Sequence, residues 1–464
     1  MIIVLPVLSA ILGILAFLPA NLWFFGFLFL VPLFIFFLKE KLLWRLILGA
    51  FIFRFILMLG AVYYTLEPLA WLSSIGIFLG LPISIFIFKK VLKYLQTRQF
   101  VSLLVLLPFL WTVFDYLTAR YSLLPGYIIT TGNIFGSSPF LGLSAIGGLT
   151  LLTFFAALVN MLITSIFNFR KSDFRKITVI VIIIIIMLIS AWQISNYQIQ
   201  KNAENYSNLE NSFNIASIST NENFNWLSFN KIKDKLTDKD INLIIFPENI
   251  FNNAVNNKKV YQDLAKKLNT NLIATFSTIQ NTKKYNSSIL FDKNGKIIDT
   301  YNKNHLTFIG EYWPFGNWHP FFFNWLKKNN PSIKNYAVFN PQSQYYKGEK
   351  KILTMKQFNN ETILFASLIC LEIHYPSDIK KYKKMGAQFI INPTSNRWIY
   401  IGTRHFLYLN NNLRKIKATQ LKIPIILAGI KDFAGIITPS GEIKFVDFAD
   451  QNKNYEIFLG KIKY

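Results

Sequence analysis

Between Met1 and about Ser195 the chain carries seven apolar stretches, near 2–18, 22–38, 46–65, 69–88, 101–118, 142–167 and 177–194. A helix rises about 1.5 Å per residue, so about 20 apolar residues cross the roughly 30 Å hydrocarbon core of a bilayer. The stretches reach or approach that length. Residues 1–195 are therefore expected to form a transmembrane helical bundle of about seven spans. Pro19-Ala20-Asn21 separates the first two and predicts a tight helical hairpin. No small-residue cleavage site lies between them, which argues against a cleavable leader. Basic residues follow spans two (Lys39, Lys41, Arg45), four (Lys89, Lys90, Lys93, Arg98) and six (Arg170, Lys171, Arg175, Lys176). Loops rich in Lys and Arg stay in the cytoplasm. The N-terminus is thus expected inside, and seven crossings deliver everything after Asn196 to the outside, which is the periplasm in a bacterium with two membranes. Arg54, Glu67 and Asp115 are costly in lipid and are expected to face the bundle interior or the interface.

After Asn196 the pattern turns to short β-like runs bounded by turn residues. Candidate strands are Ser212–Ser217, Ile241–Phe246, Asn271–Phe276, Ser288–Phe291, Lys296–Tyr301, Ile363–Ile369, Gln388–Ile391, Ile425–Ala428 and Ile436–Thr438. Asn294-Gly295 and Ser440-Gly441 signal two hairpins. Helix-like segments such as Tyr261–Leu268 and Thr403–Leu421 intervene, so residues 210–450 read as an α/β domain with a helix-covered sheet. The net charge of +25 suits nucleic acid or anionic lipid in principle. The lysines are scattered among asparagines and no nucleic-acid motif accompanies them, so a membrane-facing surface is expected and no nucleic-acid partner.

Cys370 is the single cysteine, which excludes an intramolecular disulfide. It ends the apolar run Leu364-Phe365-Ala366-Ser367-Leu368-Ile369. Glu248 ends Ile244-Ile245-Phe246-Pro247, and Lys303 follows Ile297-Ile298-Asp299-Thr300-Tyr301-Asn302. Reacting groups collect where strands stop in open α/β sheets, so a carboxylate, an ammonium and a thiol can meet at one rim. Spacing alone leaves open whether they do. If they do, the set is coherent for acyl transfer through a thioester. Glu248 is the general base towards the Cys370 nucleophile, and Lys303 with the Leu371 backbone N–H stabilises the oxyanion.

These residues resemble the nitrilase superfamily, and within it the membrane-bound branch of apolipoprotein N-acyltransferases. Tyr301-Asn302-Lys303-Asn304-His305-Leu306 with Gly310-Glu311-Tyr312-Trp313-Pro314-Phe315 is similar to the segment around that family's catalytic lysine. Leu368-Ile369-Cys370-Leu371-Glu372 resembles its nucleophile motif, and Phe246-Pro247-Glu248 its general-base motif. In the apolar half, Leu15-Ala16-Phe17-Leu18-Pro19, Pro108-Phe109-Leu110-Trp111-Thr112 and Ser144-Ala145-Ile146-Gly147-Gly148 resemble family landmarks. The resemblance implies a nitrilase-like αββα sandwich outside the cytoplasm of a multi-pass inner-membrane protein. It implies a phospholipid acyl donor and a diacylglyceryl-cysteine lipoprotein as acceptor, with a monomer as the expected state. Glu311 and Glu372 match supporting positions, and Trp226, Tyr312 and Trp398 substrate loops. No cofactor and no metal are implied. His305, His319, His374 and His405 lack zinc-ligand spacing.

The chain also departs from the family pattern. Asn392-Pro393-Thr394-Ser395-Asn396-Arg397-Trp398 lacks the usual Asp, and Lys417-Ala418-Thr419-Gln420-Leu421-Lys422-Ile423-Pro424 lacks a charged pair. Asp115 stands where Glu is common. Residues 451–464 read as a tail, with the usual last transmembrane helix missing. Two other readings stay open: a membrane-anchored amidase or hydrolase using water, and a non-catalytic scaffold of the lipoprotein pathway.

Overall fold

The computed structural model describes residues 3–464 apart from 64–67, 95–98, 124–125, 168–173, 252–253, 330–335, 357–360, 400–401, 448 and 450–452. Glu67, Arg98, Arg170 and Lys171 lie outside the described residues. By internal contacts the chain divides into two units. One comprises Met1–Asn205, Ile399–Lys422 and Pro439–Gly441; the other comprises Tyr206–Trp398, Ile423–Thr438 and Glu442–Tyr464.

Among the described residues of the first unit, the apolar stretches form mainly helices: α1 Val4–Phe17, α2 Leu30–Lys39, α3 Leu43–Ala61, α4 Pro68–Phe78, α5 Gly80–Tyr94, α6 Gln99–Tyr121, α7 Ser144–Ile166 and α8 Phe174–Ser207. Among the described residues, four helical stretches are long and apolar enough to cross a membrane: Leu43–Ala61, Leu72–Tyr94, Leu141–Ile166 and Phe174–Ser207. At 34 residues, α8 is roughly 51 Å long and outruns a bilayer core. Val179, Ile182, Ile183, Ile186 and Ile189 on it are exposed, as a lipid-facing surface requires. Polar side chains are tied inward instead. Asn160 accepts from Leu30 N (2.9 Å) and donates to Gly26 O and Ala156 O (2.8 Å each). Arg54 and Asp115 are both buried in the bundle; Arg54 donates to Ser74 Oγ at 3.0 Å, and Asp115 accepts from Thr131 N at 2.8 Å. Without water in lipid, such partners are what make these groups tolerable.

The second unit is a sheet of twelve strands. They are β1 Ser212–Thr220, β2 Leu243–Glu248, β3 Asn271–Gln280, β4 Lys283–Phe291, β5 Ile297–Asn302, β6 Leu353–Lys356, β7 Thr362–Ser367, β8 Phe389–Ser395, β9 Ile425–Ile430, β10 Ala434–Ile437, β11 Ile443–Val446 and β12 Tyr455–Lys463. The order β5-β4-β3-β2-β1-β9-β8-β7-β6 has β1 at the join. β1, β2 and β3 run parallel, as do β7, β8 and β9. The two wings face one another, since Ser367 Oγ on β7 donates to Ser288 Oγ on β4 at 2.7 Å. Helices α9 Trp226–Leu236 and α10 Ala254–Leu268 cover one wing through Phe229, Ile232, Tyr261 and Leu264, packed on Ile244, Phe246 and Leu272. β2 and β9 are buried at every position, the mark of strands covered on both faces. This is an α/β fold with a helix-covered sheet. Tyr455–Lys463, in the segment read as a tail, pairs antiparallel with the whole of β1.

Helices α11 Phe321–Asn329 and α12 Pro376–Lys384 complete this unit. Helix α13 Thr403–Leu421 lies between β8 and β9 in sequence but belongs by contact to the first unit. There Asn133 Nδ2 donates to Leu409 O at 2.9 Å, and Ser137 Oγ to Asn412 Oδ1 at 2.5 Å.

Candidate active site

β2, β5 and β7 bring Glu248, Lys303 and Cys370 to one rim of the second unit. All three are buried. Lys303 Nζ lies 3.7 Å from Glu248 Oε1 and 2.8 Å from Glu311 Oε2. The Cys370 thiol lies beside the Glu248 carboxylate, close enough for each to shift the other's protonation. Asn286, on β4, forks between the two carboxylates: its Nδ2 donates to Glu248 Oε1 at 2.7 Å and to Glu311 Oε1 at 2.8 Å. One cation thus sits between two carboxylates, a neutral amide bridges them, and the thiol lies beside one of them.

Cys370 holds a φ of 54°. Left-handed backbone is unfavourable for a residue with a Cβ and concentrates at functional turns. Here it ends the strand sharply and starts the 3-10 turn Cys370–His374, where the first N–H groups have no intrahelical partner. Leu371 is the second residue of that turn. Asn392, in the middle of β8, donates to Leu368 O (2.6 Å) and Cys370 O (3.1 Å), and Ser395, which ends β8, lies near the thiol.

Glu372 does not face the thiol. Its Oε1 accepts from Tyr301 Oη (2.7 Å), Asn304 N (2.7 Å) and His305 N (3.0 Å), and its Oε2 from Ile369 N (2.8 Å). One buried carboxylate therefore ties the loop after Lys303 to the turn carrying Cys370. Lys303 is fixed further by its own N–H to Asn286 O and by Gly348 N to its carbonyl, both 2.8 Å.

Protonation follows from burial and neighbours. Burial and the Glu248 charge push the Cys370 thiol up to about 12, against the pull of Lys303, so the resting sulfur is a thiol. Burial raises Glu248 above the usual carboxylate range despite Lys303 and Asn286. Burial opposes Glu311 too, but the Lys303 ammonium and the Thr307 N–H hold its carboxyl below that range. Burial would lower Lys303, but Glu311, Glu248 and Cys370 keep it above its ordinary value. Glu311 is thus the fixed counter-ion and Glu248 the carboxylate poised to exchange a proton.

The three aromatic positions lie around the site rather than in it. Trp226 begins α9 and stacks on Phe251, with centroids 4.3 Å apart and 15° between planes. Arg397 holds the same post-Glu248 segment, donating to Asn249 O (2.7 Å) and Ile250 O (3.0 Å); half-buried Trp398 is the next residue. Tyr312 is exposed beside buried Trp313. Sequence reasoning missed Asn286, Asn392 and Tyr301. For Asn286 the available signal was a polar residue opening the apolar run to Phe291.

The carbon-nitrogen hydrolase family matches residues 212–415, the stretch that holds all three residues of the trio. The apolipoprotein N-acyltransferase N-terminal domain matches residues 9–162. An apolipoprotein N-acyltransferase from Geobacter metallireducens is 22% identical over 431 residues, 86% of this chain and 77% of that one. One from Aquifex aeolicus is 26% identical over 223 residues, 47% of this chain and 45% of the relative. Apolipoprotein N-acyltransferase 2 of Treponema denticola is 25% identical over 174 residues, 38% of this chain and 31% of the relative. The match thus spans less than half the length of the latter two relatives. The chain thus joins a carbon-nitrogen hydrolase domain to an apolar helical region that carries candidate membrane spans. In both regions it is similar to the apolipoprotein N-acyltransferases.

Proposed function

We propose that this chain transfers an acyl group from a phospholipid to the N-terminal amine of a diacylglyceryl-cysteine lipoprotein. The observation that carries this reading is the buried cluster of Cys370, Glu248 and Lys303, with Lys303 Nζ 3.7 Å from Glu248 Oε1, in a chain that also matches the family's N-terminal domain. In the first half-reaction Glu248 takes the thiol proton as sulfur attacks the ester carbonyl of the donor. Charge builds on the carbonyl oxygen, where Lys303 Nζ and the Leu371 N–H stabilise it. The lysophospholipid oxygen leaves with the proton from Glu248, and the acyl group stays on Cys370 as a thioester. In the second half-reaction the lipoprotein's α-amine attacks that thioester, gives a proton to Glu248, and the thiol is restored. This is ping-pong chemistry.

A second observation favours lipid substrates over soluble amides. Phe315 (53% exposed), Trp318 (63%), Phe321 (88%) and Trp325 (65%) lie close together in sequence, next to Lys327 and Lys328. Aromatic rings with flanking lysines suit the headgroup level of a membrane. With the orientation expected from the basic loops, the site is assigned to the outer face of the inner membrane, open to the periplasm, and a monomer stays the expected state.

The test is intact-mass analysis of the purified full chain after incubation with phospholipid vesicles. Wild type should gain one acyl chain and Cys370→Ser none. Lipopeptide with a free N-terminal amine should discharge the adduct faster than water does. No adduct on wild type sinks the reading, and equal discharge by water turns it into the hydrolase.

A further inference from the structure

A cavity of about 920 Å³ opens beside the catalytic cluster in the same unit, large enough for a drug-sized ligand. Lys284 and Lys347 are among its lining residues, and no Asp or Glu is among the described ones. Lys284 lies 4.5 Å over the Tyr345 ring, and burial lowers its proton affinity, so an anion there would restore what desolvation costs it. Tyr345 connects the wall to the site, since its N–H donates to Glu311 O at 2.9 Å.

A second feature points to the ligand's other end. Asn304 lines the cavity, and its Nδ2 is committed to Gly348 O at 2.6 Å. Its Oδ1 is buried with no partner among the described residues. Leaving a buried acceptor unpaired is costly, and a hydroxyl donor would satisfy it. The cavity therefore asks for one molecule bearing both an anion and a hydroxyl. Tyr312, also on its wall, begins the segment that carries the exposed aromatics, which places such a molecule at the level of a lipid head group.

We propose that this cavity binds the phosphoglycerol head group of an anionic glycerophospholipid, the phosphate between Lys284 and Lys347 and a glycerol hydroxyl on Asn304 Oδ1. The assignment rests on the acyl-transfer reading for its use as a donor subsite, but not for binding itself. It also sets a preference. Two lysines disfavour head groups that carry their own ammonium, such as phosphoethanolamine and phosphocholine.

The experiment uses the full-length Cys370→Ser protein, titrated calorimetrically with glycerophosphoglycerol, glycerophosphoethanolamine and inorganic phosphate. Glycerophosphoglycerol should bind at least about tenfold more tightly than the other two, and Lys284→Gln with Lys347→Gln should weaken it by about tenfold or more. Lys284→Arg should retain binding. Asn304→Ala should weaken glycerophosphoglycerol and leave phosphate unchanged. Equal binding of phosphate and glycerophosphoglycerol overturns the head-group assignment in favour of a free-anion site, and indifference to the lysine variants overturns the site. In parallel, wild type is assayed for acyl adduct on phosphatidylglycerol and phosphatidylcholine vesicles. Lysine-dependent binding without any adduct keeps the site and sinks the acyltransferase reading. Adduct formation without such binding does the reverse.

Discussion

The segment from Lys303 to Tyr312 and the turn from Cys370 to His374 reach the same site by different means. The first is a long loop with no regular structure, held by side chains: Glu311 bonds Thr307 N at 2.8 Å, and Glu372 bonds Asn304 N and His305 N. The second is short and set by its backbone conformation, with a left-handed residue at its apex whose carbonyl, like that of Leu368, accepts from Asn392 Nδ2. A loop that depends on carboxylates is sensitive to charge and pH. A turn that depends on φ is sensitive to backbone substitution. Glu372 bonds both, so it couples two structures that would otherwise respond independently.

The largest effect expected comes from the catalytic carboxylate and its cation. Glu248→Gln keeps an acceptor for Asn286 but cannot take a proton, and adduct formation should fall by about 10²–10⁴-fold. Lys303→Ala should abolish the adduct and also destabilise the loop by about 3–5 kcal/mol, because it leaves two buried carboxylates without their cation. If the melting midpoint of Lys303→Ala in detergent equals that of wild type, the loop does not rest on charge. Glu311→Gln should keep a measurable fraction of adduct formation, which separates the counter-ion from the base.

Glu372→Gln comes next. It replaces an acceptor with an amide that meets Ile369 N as donor against donor, so about 1–3 kcal/mol of stability is expected to be lost. Both regions should loosen together, seen as faster hydrogen exchange in peptides covering 303–312 and 368–375. Exchange confined to one of them would refute the coupling.

The pH profile tests the same contrast through protonation. Glu248 acts as base only when ionised, and burial raises its pKa. The rate of adduct formation should therefore rise with pH through that raised value, and its acid limb should lie above the ordinary carboxylate range. A limb within the ordinary range would assign the proton transfer to a different group. In Asn286→Ala, which removes a hydrogen bond to the charged form, the limb should move further up.

What the sequence made legible follows the range of the forces involved. Hydropathy is local, so seven apolar stretches were found, and among the described residues they are mainly helical. Strands that begin or end on apolar runs were found to within a few residues, including the three that end near Glu248, Lys303 and Cys370. β6, β11 and β12 were not, because Leu353–Lys356 and Ile443–Val446 are four residues long and Tyr455–Lys463 is only partly buried. Their pairing is decided by a partner strand, which periodicity does not report. The same limit applied to Asn286: its role exists only once β4 lies between β3 and β5. Thr403–Leu421 was legible as a helix, but not the unit it packs with.

The finest probe of the comparison lies in the backbone of the turn. At φ 54° a side chain costs about 1–2 kcal/mol relative to a residue without Cβ, partly offset by the greater chain entropy of glycine in the unfolded state. Neither Cys370→Ala nor Cys370→Gly can form an adduct, so the pair isolates the conformational term. Cys370→Gly should melt at the same temperature as Cys370→Ala or a few degrees higher, whereas the Gly-for-Ala exchange within an ordinary helix or strand lowers stability. The sign of that difference is the test. If Cys370→Gly melts clearly below Cys370→Ala, the turn is not strained at its apex, and backbone would no longer distinguish it from the loop that carries Lys303.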